Sequence, residues 1–226
     1  MIDRTLVYVF GHSDFKTLGG SRTDAMVSAS DFVLELFVNE PLDEEDFLKD
    51  FNLNLPADIR GISVEATDEH FNIIQNPKQK RYLYLFAYGE KAHPFSAPFI
   101  TTVQHQLDID LMSKGAKLFE GEHEFKAYCK KPNDKTQTFR SIDKCELVDN
   151  TFHTASFFPT QSYAMVFDGK GFLRNQIRMI MAQLFKLGEN KIDLTFIEDS
   201  LKTGFNEHLS DVAPASGLIL DQVTLD

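Results

Sequence analysis

Apolar positions recur along this chain with two periods, and each switch between them marks an element. Alternation at Phe32, Leu34, Leu36 and Val38 within "SDFVLELFV" predicts a strand with one buried face. "FKTLGG" predicts a short strand ahead of it, while "LVYVFG" near the start fits a helix end or a strand equally well. A helix is expected after Pro41, its acidic first turn favoured by the helix dipole, with Phe47, Leu48 and Phe51 turned inward. "IRGISVEA" and "RYLYLFAY" both read as strands. In the second, Tyr82 and Tyr84 must share a face, because side chains alternate along a strand.

Farther on, "DIDLMSKGAKLF" places Ile109, Met112, Ala116 and Phe119 on one helical stripe, with Asp108 available as the cap. Three β-rich pieces follow: "TFRSIDKCELV", "TFHTASFF" and "QSYAMVFDG". Asp168-Gly169 and Gly171 then bend the chain into its longest helical pattern, over residues 172–187. A further helix is expected from Asp193, and "GLILDQVTL" closes the chain as a strand. No linker rich in Gly, Ser or Pro divides the sequence. Two sets of strands, each with its own helices on a face, suggest an α+β architecture of two similar halves sharing a continuous antiparallel sheet, divided at residues 1–95 and 96–226.

Composition narrows the class. With 226 residues and 42% hydrophobic content the chain can bury a sizeable core. It holds no apolar run long enough to span a membrane, and "MIDRTLVYVF" lacks a signal-peptide layout, so a cytoplasmic protein is expected. Cys129 and Cys145 stand 16 residues apart with no C-x-x-C half and no paired histidines. Buried reduced thiols and no metal site are expected.

The net charge of −11 argues against indiscriminate nucleic-acid binding. Its distribution is uneven, however. "EPLDEEDFLKD" carries six acids and one base, whereas "GKGFLRNQIRMIMAQLFK" carries Lys170, Arg174, Arg178 and Lys186 with no acid. A basic groove on an acidic protein is compatible with that pattern.

Three places could carry chemistry. In "GGSRTDAMVSAS", Asp24 is either a turn residue bonding its own backbone or a carboxylate placed to react; the second role needs a cationic neighbour. Arg178 is the best candidate for that neighbour. Arg174 and Arg178 fall one turn apart in the helical pattern and form either a solvated basic stripe or a pair seeking a carboxylate or phosphate elsewhere in the fold. Tyr82 either packs in a sheet or stacks on a base, while Lys80 and Arg81 beside it meet phosphates.

Taken in order, these places belong to a longer pattern. "SRTDAMVSA" is similar to G-R-T-D-A-G-V-H-A, the signature of the tRNA pseudouridine synthase A family. "NLNLPADIRGISVEATDEHFNIIQNPKQKRYLYLF" resembles that family's N-x-x-L-P-x-D-I followed by F-H-A-R-x-x-A-x-x-R-x-Y-x-Y. "LFEGEHEF" and "TQTFRSI" resemble its L-x-G-x-H-D-F and T-x-R-x-I. "GKGFLRNQIRMIMAQLFKLG" and "APASGLILDQV" resemble its G-x-x-F-L-x-x-M-V-R-x-x-x-G-x-L-x-x-V-G and A-P-A-x-G-L-x-L-x-x-V.

The resemblance implies a pseudouridine synthase fold of two ferredoxin-like halves. It also implies isomerisation of uridine to pseudouridine in the tRNA anticodon stem-loop, at tRNA positions 38 to 40, without cofactor or metal and by a homodimer. By the same resemblance Asp24 is the catalytic aspartate, Arg178 its partner, Tyr82 the tyrosine that stacks on the uracil, and Arg22 the arginine that helps displace the base. A nucleophilic and a glycal route both remain open. Met26-Val27-Ser28 replaces Gly-Val-His, and Phe71-Asn72-Ile73-Ile74 replaces F-H-A-R. The family's opening strand and Y-D-G-x-x-F-x-G-W-Q segment have no counterpart, so loss of an N-terminal strand is expected. A catalytically silent tRNA-binding or RNA-chaperone homologue is the alternative.

Overall fold

The computed structural model describes residues 1–75 and 77–225. Contacts group the chain into two units: residues 1–21 with 33–76, and residues 22–32 with 77–226.

In the first unit the ambiguous start resolves as helix α1 (Ile2–Phe10), ended by Gly11 at φ 71°, whose N–H donates to the Val7 carbonyl. Strand β1 (Lys16–Gly19) pairs antiparallel with β3 (Leu34–Phe37), Leu18 opposite Glu35. Helix α2 (Glu44–Asn54) begins where the acids predicted it, the Asp43 carboxylate accepting from the Asp46 N–H. Phe10 stacks on Phe47, and Phe47 on Phe51, joining α1 to α2.

The expected strand "IRGISVEA" does not form. The side chain of Asn52 on α2 takes both polar groups of Gly61, accepting its N–H at 2.7 Å and donating to its carbonyl at 3.0 Å. Ala66 N–H donates to the Glu44 carboxylate at 3.0 Å, and most of residues 59–66 is exposed, so water can serve the remaining backbone without a ladder.

The second unit is built on a six-stranded sheet. Its path runs from β2 (Ser28–Ala29) through β10 (Leu218–Thr224), β4 (Gln79–Tyr88) and β9 (Tyr163–Gly169) to β8 (Lys144–Asp149), and β5 (Thr101–Val103) also pairs with β4. The expectation of a continuous antiparallel sheet is corrected here. β2 runs parallel to β10 and β5 parallel to β4, so the sheet is mixed. Between β4 and β5 the chain makes an excursion through a 3-10 turn at Pro94–Ser96, which lets it return in the same direction as a tight hairpin cannot.

Leu83, Leu85 and Ala87 on β4 pack with Ile100, Ala164, Val166 and Ile219 on one side of the sheet. On the other, Tyr84 and Phe86 meet Phe185 of helix α4 (Gln176–Gly188) edge-on. Helix α3 (Ile109–Lys117), capped by Asp108 as predicted, buries Met112 and Ala116, while β6 (Gly121–Glu124) and β7 (Phe139–Ile142) form a separate hairpin. Helix α5 (Leu194–Ser200) is capped by Asp193.

"TFHTASFF" is a second overturned strand. The Asn150 side chain bonds the backbone of His153 in both directions, and Phe158 N–H closes a turn on Ala155. Cys129 and Cys145 are free and buried. Among the described residues no helix is long and apolar enough to cross a membrane.

Candidate active site

Asp24 opens a turn closed by Val27 N–H on the Asp24 carbonyl at 3.1 Å. The chain then locks onto the sheet edge through β2, Ser30 N–H donating to the Leu220 carbonyl at 2.8 Å and Val223 N–H to the Asp31 carboxylate at 2.8 Å. These bonds fix the loop that carries the carboxylate. Asp24 thus shapes the turn with its backbone carbonyl, and its carboxylate is turned to partners outside the turn.

Those partners come from the start of α4. Arg178 Nη1 donates to Asp24 Oδ2 at 2.6 Å, and Asn175 Nδ2 donates to the same oxygen. Arg178 is itself held from behind. Its Nε donates to the Ala213 carbonyl at 2.8 Å, and Ala213 N–H returns a bond to the Arg178 carbonyl at 3.0 Å. The Arg178 side chain is 16% exposed against 40% for Asp24, so a shielded guanidinium presents a more open carboxylate. Charge-assisted bonds of this kind fix the orientation of the carboxylate. Among the described residues Asp24 Oδ1 has no partner.

The helix pattern at 172–187 is corrected at its start. Asn175 sits at φ 60°, ψ 11°, and α4 begins only at Gln176, whose side chain accepts the Leu173 N–H at 2.7 Å. Phe172 and Arg174 therefore precede the helix, and Arg174 does not share a helical face with Arg178. The left-handed turn releases the Asn175 side chain from capping and leaves it for Asp24.

Tyr82 lies in the same sheet row as Ala29, the end of the strand that follows the Asp24 loop: Leu220 of β10 is flanked by Ala29 on one side and by Tyr82 on the other. Its ring meets Phe172 edge-on at 5.3 Å and is 9% exposed. Tyr84, two residues on, is spent on the fold, its hydroxyl lying 2.8 Å from both Thr101 Oγ1 and the Pro214 carbonyl. Burial pushes that phenol well above the ordinary tyrosine range.

The remaining cations divide. Lys80 shares the face of Tyr82 by alternation, and burial lowers its pKa. Arg81 points the other way and forms a two-bond pair with Asp168, at 2.8 and 2.9 Å, on a carboxylate only 7% exposed. The Asp168 hydrogen bond raises the guanidinium pKa against the opposing effect of burial. Arg22 is exposed two residues before Asp24, and Arg174 is exposed with its carbonyl held by Lys130 N–H at 3.0 Å. The structure thus gathers Asp24 and Arg178, sets Tyr82 across β10 from Ala29, and commits Arg81 elsewhere.

Sequence reasoning missed Asn175, the Ala213 carbonyl and the ring partner Phe172. Asn175 carried one weak signal, an asparagine at the entrance of a helical pattern. Nothing in the sequence pointed its amide at Asp24.

Residues 116–226 match a family model described as tRNA pseudouridine synthase. The class this defines is the pseudouridine synthases, which are isomerases. Curated relatives extend the match over most of the chain. A tRNA pseudouridine synthase A of Oenococcus oeni is 31% identical over 209 residues, 92% of this chain and 80% of the relative. One of Clostridium botulinum is 26% identical over 98% of this chain and 87% of its own length. A tRNA pseudouridine synthase A 2 of Bacillus cereus is 30% identical, with 93% and 82% covered. The chain belongs to the tRNA pseudouridine synthase A family. Matches of this extent lend no support to the expected loss of an N-terminal strand.

Proposed function

We infer that this chain, a tRNA pseudouridine synthase by family, isomerises uridine in the anticodon stem-loop at tRNA positions 38 to 40, with Asp24 as the group that attacks. The observation that carries the assignment is the clamp on one carboxylate oxygen: Arg178 and Asn175 hold Oδ2 while Oδ1 stays open. A carboxylate so bound is oriented before substrate arrives, which removes a reorganisation cost from the reaction.

The target base has to leave its stack to reach Asp24, and Arg22 helps displace it. Asp24 then acts on the ribose or on the base, or sets up a glycal, and the bond between C1′ and N1 breaks. The uracil turns, a bond forms between C1′ and C5, and the C5 proton is removed as N1 gains one. Tyr82 holds the face of the uracil during the turn and stands ready for the C5 proton. Phe172 supports its ring edge-on.

Lys80, Arg22 and Arg174 are assigned to phosphates, with Arg81 anchoring the strand end from which Lys80 projects. The two family halves, residues 1–95 and 96–226, a homodimer and a cytoplasmic setting complete this reading. Mapping pseudouridine after incubation with unmodified tRNA tests the position. New pseudouridine confined to positions 38 to 40 is expected, and product elsewhere in the tRNA overturns that assignment.

A further inference from the structure

We propose that Met26 is an apolar wedge for substrate RNA, entering the base stack beside the uridine presented to Asp24. The inference rests on the proposed reading of the site.

Met26 occupies the third position of the turn that Val27 N–H closes on the Asp24 carbonyl, at φ 69°. Turns with a positive angle at this position normally use Gly or Asn, because a Cβ there crowds the backbone. The side chain is 73% exposed, so burial returns nothing for that strain. Both features work against the fold, and they coincide at one residue beside the candidate nucleophile.

The turn has little freedom to relieve them. Upstream, the Asp24 carboxylate is tied to Arg178 and Asn175; downstream, Ser28 and Ala29 pair with Ile219 and Leu220. The apex between these anchors holds an unbranched thioether out into solvent. Such a side chain cannot pair with phosphate, but it suits the faces of bases. Apolar side chains inserted at a base step unstack it, and a group that fills the vacated space offsets the cost of extruding a nucleotide.

Opening can be read without the chemistry. In an Asp24→Asn background, an anticodon stem-loop with 2-aminopurine next to the target uridine brightens when the stack opens. Adding Met26→Gly is expected to weaken that opening roughly tenfold in affinity, the scale of one lost base contact. Met26→Leu is expected to retain it. Met26→Gly alone should raise the melting temperature by about 2 to 4 °C as the backbone strain is removed, which separates the loss from unfolding. Equal opening by the glycine variant and its parent overturns the wedge, as does a leucine variant no better than glycine, or no opening by the parent. If the Asp24→Asn parent opens the stem-loop while the wild-type chain never isomerises uridine, the proposed activity falls and the wedge stands.

Discussion

Arg178 holds the Asp24 carboxylate at 2.6 Å while its own Nε is tied to the Ala213 carbonyl at 2.8 Å. One planar guanidinium thus joins the β2 loop to the segment that leads into β10, and does so with fixed geometry. An ammonium group has no second fixed arm with which to repeat this.

Arg178→Lys is therefore expected to keep the charge and lose the orientation. Single-turnover pseudouridine formation should fall on the order of 100-fold, comparable to removing one preorganised donor, with tRNA affinity little changed. A lysine variant with wild-type turnover would contradict the clamp.

Asn175 separates strain from function. At φ 60° a glycine is more comfortable than asparagine, so Asn175→Gly should leave the melting temperature unchanged or slightly raised. Its loss of the donor to Asp24 Oδ2 should lower the rate roughly tenfold, the scale of a charge-assisted hydrogen bond. A variant that is fully active would remove Asn175 from the site.

Arg81 was legible in the sequence as a cation beside Tyr82, and its destination was not. Replacing it with methionine leaves the buried Asp168 carboxylate unpaired and should cost about 2 kcal/mol in denaturant unfolding. The salt dependence of tRNA binding should stay that of the wild type. A shallower slope with unchanged stability would return Arg81 to the RNA.

One ion pair gives stability a pH signature. Glu120 accepts from Cys145 N–H and Lys117 Nζ, each at 2.9 Å. Burial alone would raise its pKa, but the bonds from Cys145 and Lys117 outweigh it and hold the carboxyl below its ordinary value. A group depressed in the folded state stabilises above its unfolded pKa and loses that contribution as pH falls through the folded one. Glu120→Gln should thus melt below the wild type at pH 7, the gap closing on acidification through and below the ordinary carboxylate range. A gap constant with pH would show that the charge plays no part.

Where sequence and structure part, the difference lies in who satisfies the backbone. Periodicity located α2, α3, α5, β4, β9 and β10 because their caps and apolar faces are local. It read residues 59–66 and 151–158 as strands because nothing local reveals that the Asn52 and Asn150 side chains take the backbone bonds of Gly61 and His153 that a ladder would otherwise supply. The start of α4 was misplaced for a related reason: a left-handed asparagine and the Gln176 side chain delay the helix without disturbing its apolar spacing. At the site, the resemblance singled out Asp24, Tyr82 and Arg178, and local residue types alone left each of them ambiguous. The second donor and the anchor behind the arginine come from residues 151 and 189 positions beyond Asp24, a distance no spacing rule covers.

The role proposed for Asp24 is attack by its carboxylate while Arg178 and Asn175 hold it. Its most direct test is single-turnover pseudouridine formation by Asp24→Asn, a substitution of nearly equal size, on tRNA the variant still binds. No detectable product at wild-type tRNA affinity is expected. Pseudouridine formed by that variant at a rate near the wild type would contradict it.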